Sequence, residues 1–167
     1  MTLRRIAAGA ALVVVLGLTP FAQARLGETL AQCTERYGAP RATIPASIPE
    51  SDPEAARFEK GQLSILVHFQ KGVAWHISYA QGHLSDMDKT RLLKENAATG
   101  EWKPRFGELI GNVFLWNNPQ AGLVACGINR KNLNSLEVMT RPCVEAFGRS
   151  RTRRLEVAAQ AAAPAKN

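Results

Sequence analysis

Several features that would point directly to a function are missing from this chain of 167 residues. It has no Gly-x-Ser-x-Gly turn, which argues against a serine hydrolase. Gly107–Gly111 lacks the spacing of a phosphate-binding loop, which argues against a P-loop enzyme. No cysteine or acid stands at a recognisable metal-ligand spacing from a histidine. The sequence therefore predicts no catalytic residue and no cofactor.

The chain also lacks an apolar run of about 20 residues, the length that a membrane-spanning helix needs. It has a shorter run, Ile6–Leu18, which follows two arginines and precedes Pro20 and Ala22-Gln23-Ala24. A basic start, a short apolar run and an A-x-A end are the three parts of a cleavable signal peptide. We therefore expect cleavage between Ala24 and Arg25, and a periplasmic or secreted protein.

Two alternatives to this signal peptide are a retained N-terminal anchor and export by the twin-arginine route. The residues around Arg4-Arg5 match a twin-arginine signal poorly, which favours the general secretory route. Cys33 lies nine residues beyond Ala24, which argues against a lipid-anchored lipoprotein.

Positive charge is unevenly distributed. The formal net charge is +7, and removal of two signal-peptide arginines lowers it to +5. Residues 148–167 hold five cations and one acid, so residues 25–147 carry only +1. We expect one domain over 25–147 and a basic, alanine-rich, disordered tail over 148–167. Adhesion of this tail to anionic envelope polymer is an alternative function, whereas export makes nucleic acid an improbable partner.

Cysteine is scarce as well. Cys33, Cys126 and Cys143 are too few, and odd in number, for a disulfide-dense scaffold. One disulfide with three possible pairings is open, and so is the alternative that these residues are small buried hydrophobes.

Two helices are clearly marked. Thr29 and Gln32 have the spacing of a capping box, and Gly38 suits the end of a helix over residues 30–37. Ser85 begins a second helix that continues to about Asn96. Four prolines between residues 39 and 55 predict an extended surface segment.

The clearest strand signal is the alternation in Leu63–Phe69 and Val73–Tyr79. If both sets of large residues face one core, the loop has an odd length, which predicts a three-residue turn, Gln70-Lys71-Gly72. In this register His68 lies opposite Ala74, and Trp75 shares the face of Ile77 and Tyr79.

Three further strands are predicted at 112–116, 123–128 and 135–140, followed by a final helical turn at 143–147. A short edge strand at 57–60 is also possible. The fold class is therefore α+β, with short helices packed on one face of an antiparallel sheet, in two helix-plus-meander halves.

The opening Gly27-Glu28-Thr29-Leu30-Ala31-Gln32-Cys33, which closes with Tyr37-Gly38-Ala39-Pro40, resembles a group of small exported bacterial domains. These are the SmpA/OmlA-like proteins of outer-membrane assembly and the β-lactamase-inhibitor-like proteins. The resemblance implies helices on a small antiparallel sheet and a non-enzymatic role in binding other proteins. The same opening also fits uncharacterised exported bacterial families.

His68 and His76 are the only pair of residues in the sequence that we consider as a candidate metal site or catalytic pair. They are expected as diagonal neighbours on the minor face of the sheet, within reach of a shared metal, with His83 as a third ligand. Trp102, between Gly100 and Pro104, is the best candidate for an exposed aromatic contact. The sequence thus predicts a non-enzymatic binding or structural protein of the bacterial envelope, with another envelope or secreted protein as its partner. A small metal-assisted enzyme using the two histidines is the alternative.

Overall fold

The computed structural model describes residues 25–97, 99–105, 113–130 and 133–162. The predicted signal peptide, residues 1–24, lies outside this part. The helices of the described part are α1 (Leu30–Tyr37), α2 (Asp86–Asn96) and α3 (Arg141–Ala162). Its strands are β1 (Ala42–Pro45), β2 (Glu54–Lys60), β3 (Leu63–Gln70), β4 (Val73–Gln81), β5 (Lys103–Pro104), β6 (Val113–Asn118), β7 (Leu123–Arg130) and β8 (Leu133–Thr140).

Capping chemistry defines the ends of α1 and α2, and both helices were predicted. The Thr29 hydroxyl accepts a hydrogen bond from the backbone N–H of Gln32, whose side chain accepts one from the N–H of Thr29. Ser85 and Asp88 form the same reciprocal capping box at the start of α2. Gly38 ends α1 at a φ of 85°, a conformation that favours glycine.

The eight strands form one antiparallel sheet with the order β1-β2-β3-β4-β8-β7-β6-β5. Each half of this sheet is a meander of four strands that are consecutive along the chain. The two meanders meet where β4 pairs with β8. The α+β class and the antiparallel sheet are confirmed.

Both faces of this sheet carry a hydrophobic cluster. Val138 belongs to the larger cluster and its neighbour Met139 to the smaller one, and successive residues of a strand point to opposite faces. The helices α1 and α2 contribute Cys33 and Leu92 to the larger cluster, whereas α3 contributes Cys143 to the smaller one. The prediction that all helices pack on one face is therefore wrong for α3.

The β3–β4 hairpin differs from its predicted turn. Gln70 pairs with Val73, which leaves a two-residue turn at Lys71 and Gly72 with φ angles of 54° and 78°. Positive φ at both central residues is typical of the type I′ turn, the tightest common hairpin connection.

A β-bulge explains why the parity argument predicted the wrong turn length. Phe69 pairs with Ala74, but His68 pairs with His76, so Trp75 is an extra residue on β4. Beyond the bulge, odd-numbered residues again pair with odd-numbered residues, as predicted, but each partner lies two residues further along β4 than the prediction placed it. The bulge also moves Trp75 away from the face of Ile77 and Tyr79 and into the smaller cluster, which corrects its predicted position.

The proline-rich segment contains a strand that the sequence did not predict. Its residues Ala42–Pro45 form the edge strand β1 and cover β2, which is longer than the predicted edge strand at 57–60. Pro45 occupies the last position of β1, where an edge strand tolerates proline. Ile48, in the following loop, is buried in the smaller cluster.

The third helix is longer than predicted. It begins at Arg141 and continues through residues 148–162, where the sequence predicted a disordered tail. Arg149 donates two hydrogen bonds to the carboxylate of Glu50, so α3 is tied to the proline-rich loop. Within the described ranges, no helix is long and apolar enough to cross a membrane.

The three cysteines are free thiols, and none of the three possible disulfide pairings is formed. Cys33 belongs to the larger cluster and Cys143 to the smaller one, so the sheet separates them. Cys126 pairs with Glu137, next to Leu136 and Val138 of the larger cluster, and therefore lies on the face of Cys143. Geometry thus excludes a bridge from Cys33 to either of the others.

Candidate functional site

The histidines His68 and His76 are brought closer together than predicted. They are directly opposite each other across β3 and β4, with 1% and 3% of their surface exposed. Their Nδ1 atoms are 3.3 Å apart, and the rings meet edge to face. The predicted diagonal arrangement is wrong because the two-residue turn and the bulge at Trp75 each shift β4 by one residue, which places His76 directly opposite His68.

His83 does not join this pair. It is exposed and follows the end of β4 at Gln81, which is about 16 Å along the strand from His76 at the usual rise per residue. The sequence missed two residues that do join it. Ser47, in the loop after β1, lies beside His68, and Glu137 of β8 lies beside His76.

The four side chains form a linear chain of polar contacts. The Ser47 backbone N–H donates to His68 Nε2 at 3.4 Å, and the Ser47 hydroxyl lies 3.3 Å from the same atom. Because His68 Nε2 accepts, its proton resides on Nδ1 and is directed at His76 Nδ1. His76 then carries its own proton on Nε2, which lies 3.5 Å from Glu137 Oε2. The Glu137 carboxylate ends the chain, and His76 Nε2 makes no hydrogen bond within the described structure beyond this contact.

The electrostatics of the chain favour the neutral form of His68. Burial lowers the pKa of His68 to about 4, with a further contribution from the charge on His76. The contact with His76 lowers the pKa of Glu137. A general base works best with a pKa near the operating pH, so His68 is a weak base for activating the exposed Ser47 hydroxyl.

The histidine pair partly satisfies the geometry of a metal site. Two nitrogens at about 2.0–2.1 Å from a tetrahedral zinc ion lie roughly 3.3 Å apart, which matches the observed Nδ1–Nδ1 separation. A zinc ion there would have to displace the proton that the Ser47 contact places on His68 Nδ1. A structural zinc site needs four ligands, however. In the described part of the chain no group of three or more histidines, cysteines and acids is placed to hold a metal.

The cysteines on this face are not activated. Burial raises the pKa of Cys143 to about 12 and also raises the pKa of Cys126, and the carboxylate of Glu137 adds to both shifts. Burial likewise raises the pKa of Cys33 to about 12. A thiol is a nucleophile only as its thiolate, so these residues do not form the nucleophile of a cysteine enzyme.

A second candidate site is an open groove of about 470 Å³ on the opposite face. Trp102 and Trp116, both half-buried, line this groove together with Leu93 and Pro104. We call it the tryptophan groove. The Trp102 Nε1–H donates to the backbone oxygen of Leu93 at 2.6 Å, which fixes the indole against the end of α2. Trp102, predicted as an aromatic contact, is therefore partly exposed in a rigid position.

A glycine fixes the position of the second tryptophan. A Cβ atom at Gly127 would lie 2.9 Å from Cζ3 of Trp116, so a side chain there would displace the indole from its contact with β7. Phe114 stacks on Trp116 with ring centroids 6.2 Å apart and is itself 36% exposed. The tryptophan groove thus continues into an exposed aromatic side chain.

Comparison with known proteins adds little to this geometry. No family model and no curated protein matches the chain. Among solved structures, the chain is similar to a cysteine-rich secretory protein from Staphylococcus aureus subsp. aureus Mu50, with a TM-score of 0.45 and 9% identity. The similarity covers 70% of this chain and 45% of that protein, so the chain spans less than half of its length.

Proposed function

We propose that this chain is an exported, non-enzymatic binding protein of the bacterial envelope, and that the tryptophan groove receives its protein partner. The observation that supports this function is the rigid pair Trp102 and Trp116 at an open groove. Tryptophan is enriched among the residues that contribute most to protein–protein affinity. The element order also supports two helix-plus-meander halves, because α1 and α2 are each followed by four strands.

The surroundings of the groove suggest the chemistry of the partner. The groove has an apolar centre and a polar rim, which is the usual anatomy of a protein interface. Lys94 and Glu101 are exposed along the groove, and Lys103 is exposed in a neighbouring pocket that shares Glu101, so two cations face one acid among these described residues. This excess of positive charge favours an acidic segment that carries one aromatic side chain, which would insert between the tryptophans.

The test is an NMR titration of the ¹⁵N-labelled protein with two synthetic peptides. One peptide is acidic with a central phenylalanine, and the other replaces its acids with the matching amides. We expect the acidic peptide to shift the indole N–H resonances of Trp102 and Trp116 but not that of Trp75, which lies on the opposite face. The amide peptide is expected to bind at least about tenfold more weakly, since it lacks the charge-assisted contacts.

Charge reversal supplies the matched controls. Lys94→Glu with Lys103→Glu is expected to abolish the shifts, whereas Arg151→Glu with Arg153→Glu, at two exposed positions of α3, leaves them unchanged. Equal binding of the two peptides, or equal effects of the two double variants, contradicts the proposal. Loss of binding with the α3 variant alone would favour adhesion through the basic C-terminal segment.

The separation of the two Nδ1 atoms supports a second candidate function, in which His68 and His76 bind a transition metal for a small metal-assisted enzyme. Metal analysis of the purified protein tests it. A stoichiometric metal that is retained in His83→Ala and lost in His68→Ala with His76→Ala would support this function. A metal-free protein that takes up no added Zn²⁺ contradicts it.

A further inference from the structure

A separate cavity of about 330 Å³ lies between α1, α2 and the ends of β2, β3 and β4. Its size is at the lower end of the range for small-molecule sites, roughly 300–1,000 Å³. The residues that matter for recognition are Tyr37, Lys60, Leu63, Tyr79, Arg91 and Leu92. None of them belongs to the tryptophan groove or to the histidine chain.

The cavity has an apolar wall and a fixed polar base. Leu63 and Leu92 provide aliphatic surface, and Leu92 is 1% exposed. The fully buried Tyr79 accepts a hydrogen bond from the Asn96 side-chain amide at 3.0 Å, which holds its ring in place. Such a wall favours a ligand with an apolar body.

Among the described residues that line the cavity there are two cations and no acid. Lys60 Nζ lies 5.8 Å from the centre of the Tyr37 ring, which positions the ammonium at the mouth. Arg91 is held by a hydrogen bond of 3.2 Å to Asp88 and keeps about half of its side chain exposed. A guanidinium and an ammonium at the mouth of a cavity are suited to binding a carboxylate.

Two acids compete for these cations: Asp88, which forms an ion pair with Arg91 at 3.2 Å, and Glu95, one turn beyond Arg91 on α2. Glu95 is the one that acts on both cations. It interacts electrostatically with Arg91 and Lys60, and burial raises its pKa. One of its carboxylate oxygens is buried without a hydrogen-bond partner in the described structure. This carboxylate therefore offsets part of the positive charge without occupying the cavity.

We propose that this cavity binds a small amphipathic acid, with its carboxylate between Lys60 and Arg91 and its apolar body against Leu63 and Leu92. The site binds a small molecule and is independent of the protein partner proposed above. Variants of the tryptophan groove therefore leave it intact, and each proposal can fail without the other.

The probe is 3-phenylpropionate, and 3-phenylpropan-1-ol is the neutral control of similar shape. Binding is measured by the methyl resonances of Leu63 and Leu92 during titration of the full chain. Lys60→Gln and Arg91→Gln are each expected to weaken binding about tenfold, because each removes one charge-assisted contact. Glu95→Gln is expected to strengthen it.

Lys94→Gln is the matched control, since it removes an exposed cation of the same helix that does not line the cavity. All four substituted side chains reach the surface, and thermal unfolding checks that each variant folds. The proposal is overturned if the alcohol binds as well as the acid, or if the propionate causes no methyl shifts. It is also overturned if Lys94→Gln weakens binding as much as Lys60→Gln and Arg91→Gln.

Discussion

His68 and His76 occupy positions that combine deep burial with a defined hydrogen-bond direction. The Ser47 N–H points at Nε2 of His68, so this ring is suited to its neutral form. Glu137, at the other end of the chain, is suited to its ionised form and has a lowered pKa. The contact between Ser47 and His68 therefore attaches the proline-rich loop to the sheet.

The stabilisation that the neutral His68 provides is expected to be lost in acid. The pKa of His68 is about 4 in the folded protein against 6.5 for an ordinary histidine, so the unfolded chain takes up its proton first. The stabilisation is complete above pH 6.5 and is lost as the pH falls from 6.5 to 4, by about 3 kcal/mol. The loss of carboxylate charge at Glu137 acts in the same direction at low pH.

Chemical denaturation between pH 4 and 8 measures this dependence. His68→Gln is expected to flatten the slope between pH 4 and 6.5, and His83→Gln, which changes an exposed histidine, is expected to preserve it. A slope in the His68→Gln variant as steep as that of the unchanged protein would show that other groups cause the acid sensitivity.

Gly127 permits a prediction about packing. In Gly127→Ala the new methyl group would lie 2.9 Å from the Trp116 ring, so the indole must move or β7 must bend. Overpacking of this kind costs about 1–3 kcal/mol. Urea unfolding measures the loss, and Gly82→Ala is the control, because nothing lies within 4 Å of a Cβ at that glycine. Equal stability of the two variants would contradict the close packing.

Among the secondary-structure elements, those with local signals were predictable. The capping boxes at Thr29 and Ser85 determine α1 and α2 from residues three positions apart. The alternation in β3 and β4 likewise identified both strands. The bulge at Trp75 was not predictable, because the parity argument assumes regular pairing along both strands. A two-residue turn combined with one extra residue in β4 directs the same large residues into the core.

The caps also give a prediction for α2. Ser85→Ala removes the hydroxyl that accepts from Asp88 N–H at 3.1 Å, and we expect a loss of about 1 kcal/mol in the free energy of unfolding. Thr90→Ala is the control, since the Thr90 hydroxyl donates to the Asp86 carbonyl at an exposed position of α2. Thermal unfolding followed by circular dichroism compares the two. A larger loss in Thr90→Ala would show that the cap is not the stronger contact.

The candidate site was only partly predictable because it depends on long-range pairing. His68 and His76 belong to one hairpin, so the sequence could bring them together. Glu137 reaches them because β8 pairs with β4 of the other meander as well as with β7 of its own. Ser47 reaches them from the loop after β1. No spacing in the sequence encodes these two contacts.

The whole molecule is held together at the pairing of β4 with β8. Ile77 and Tyr79 from the first meander share the larger cluster with Leu136 and Val138 from the second. Because both meanders bury their side chains in the same cluster, neither has a complete core alone. We therefore expect the described domain to unfold as one cooperative unit.

Leu136→Ala tests this expectation. Leu136 is fully buried, and its truncation leaves a cavity beside Tyr79 that is expected to cost about 2–5 kcal/mol. Tryptophan fluorescence and far-ultraviolet circular dichroism should give the same lowered midpoint of unfolding, since the loss of packing where β4 meets β8 destabilises both meanders. Val144→Ala, at an exposed position of α3, is the control and should change the midpoint little. Two separate transitions in Leu136→Ala would mean that the meanders unfold independently and that β4 and β8 only join two finished domains.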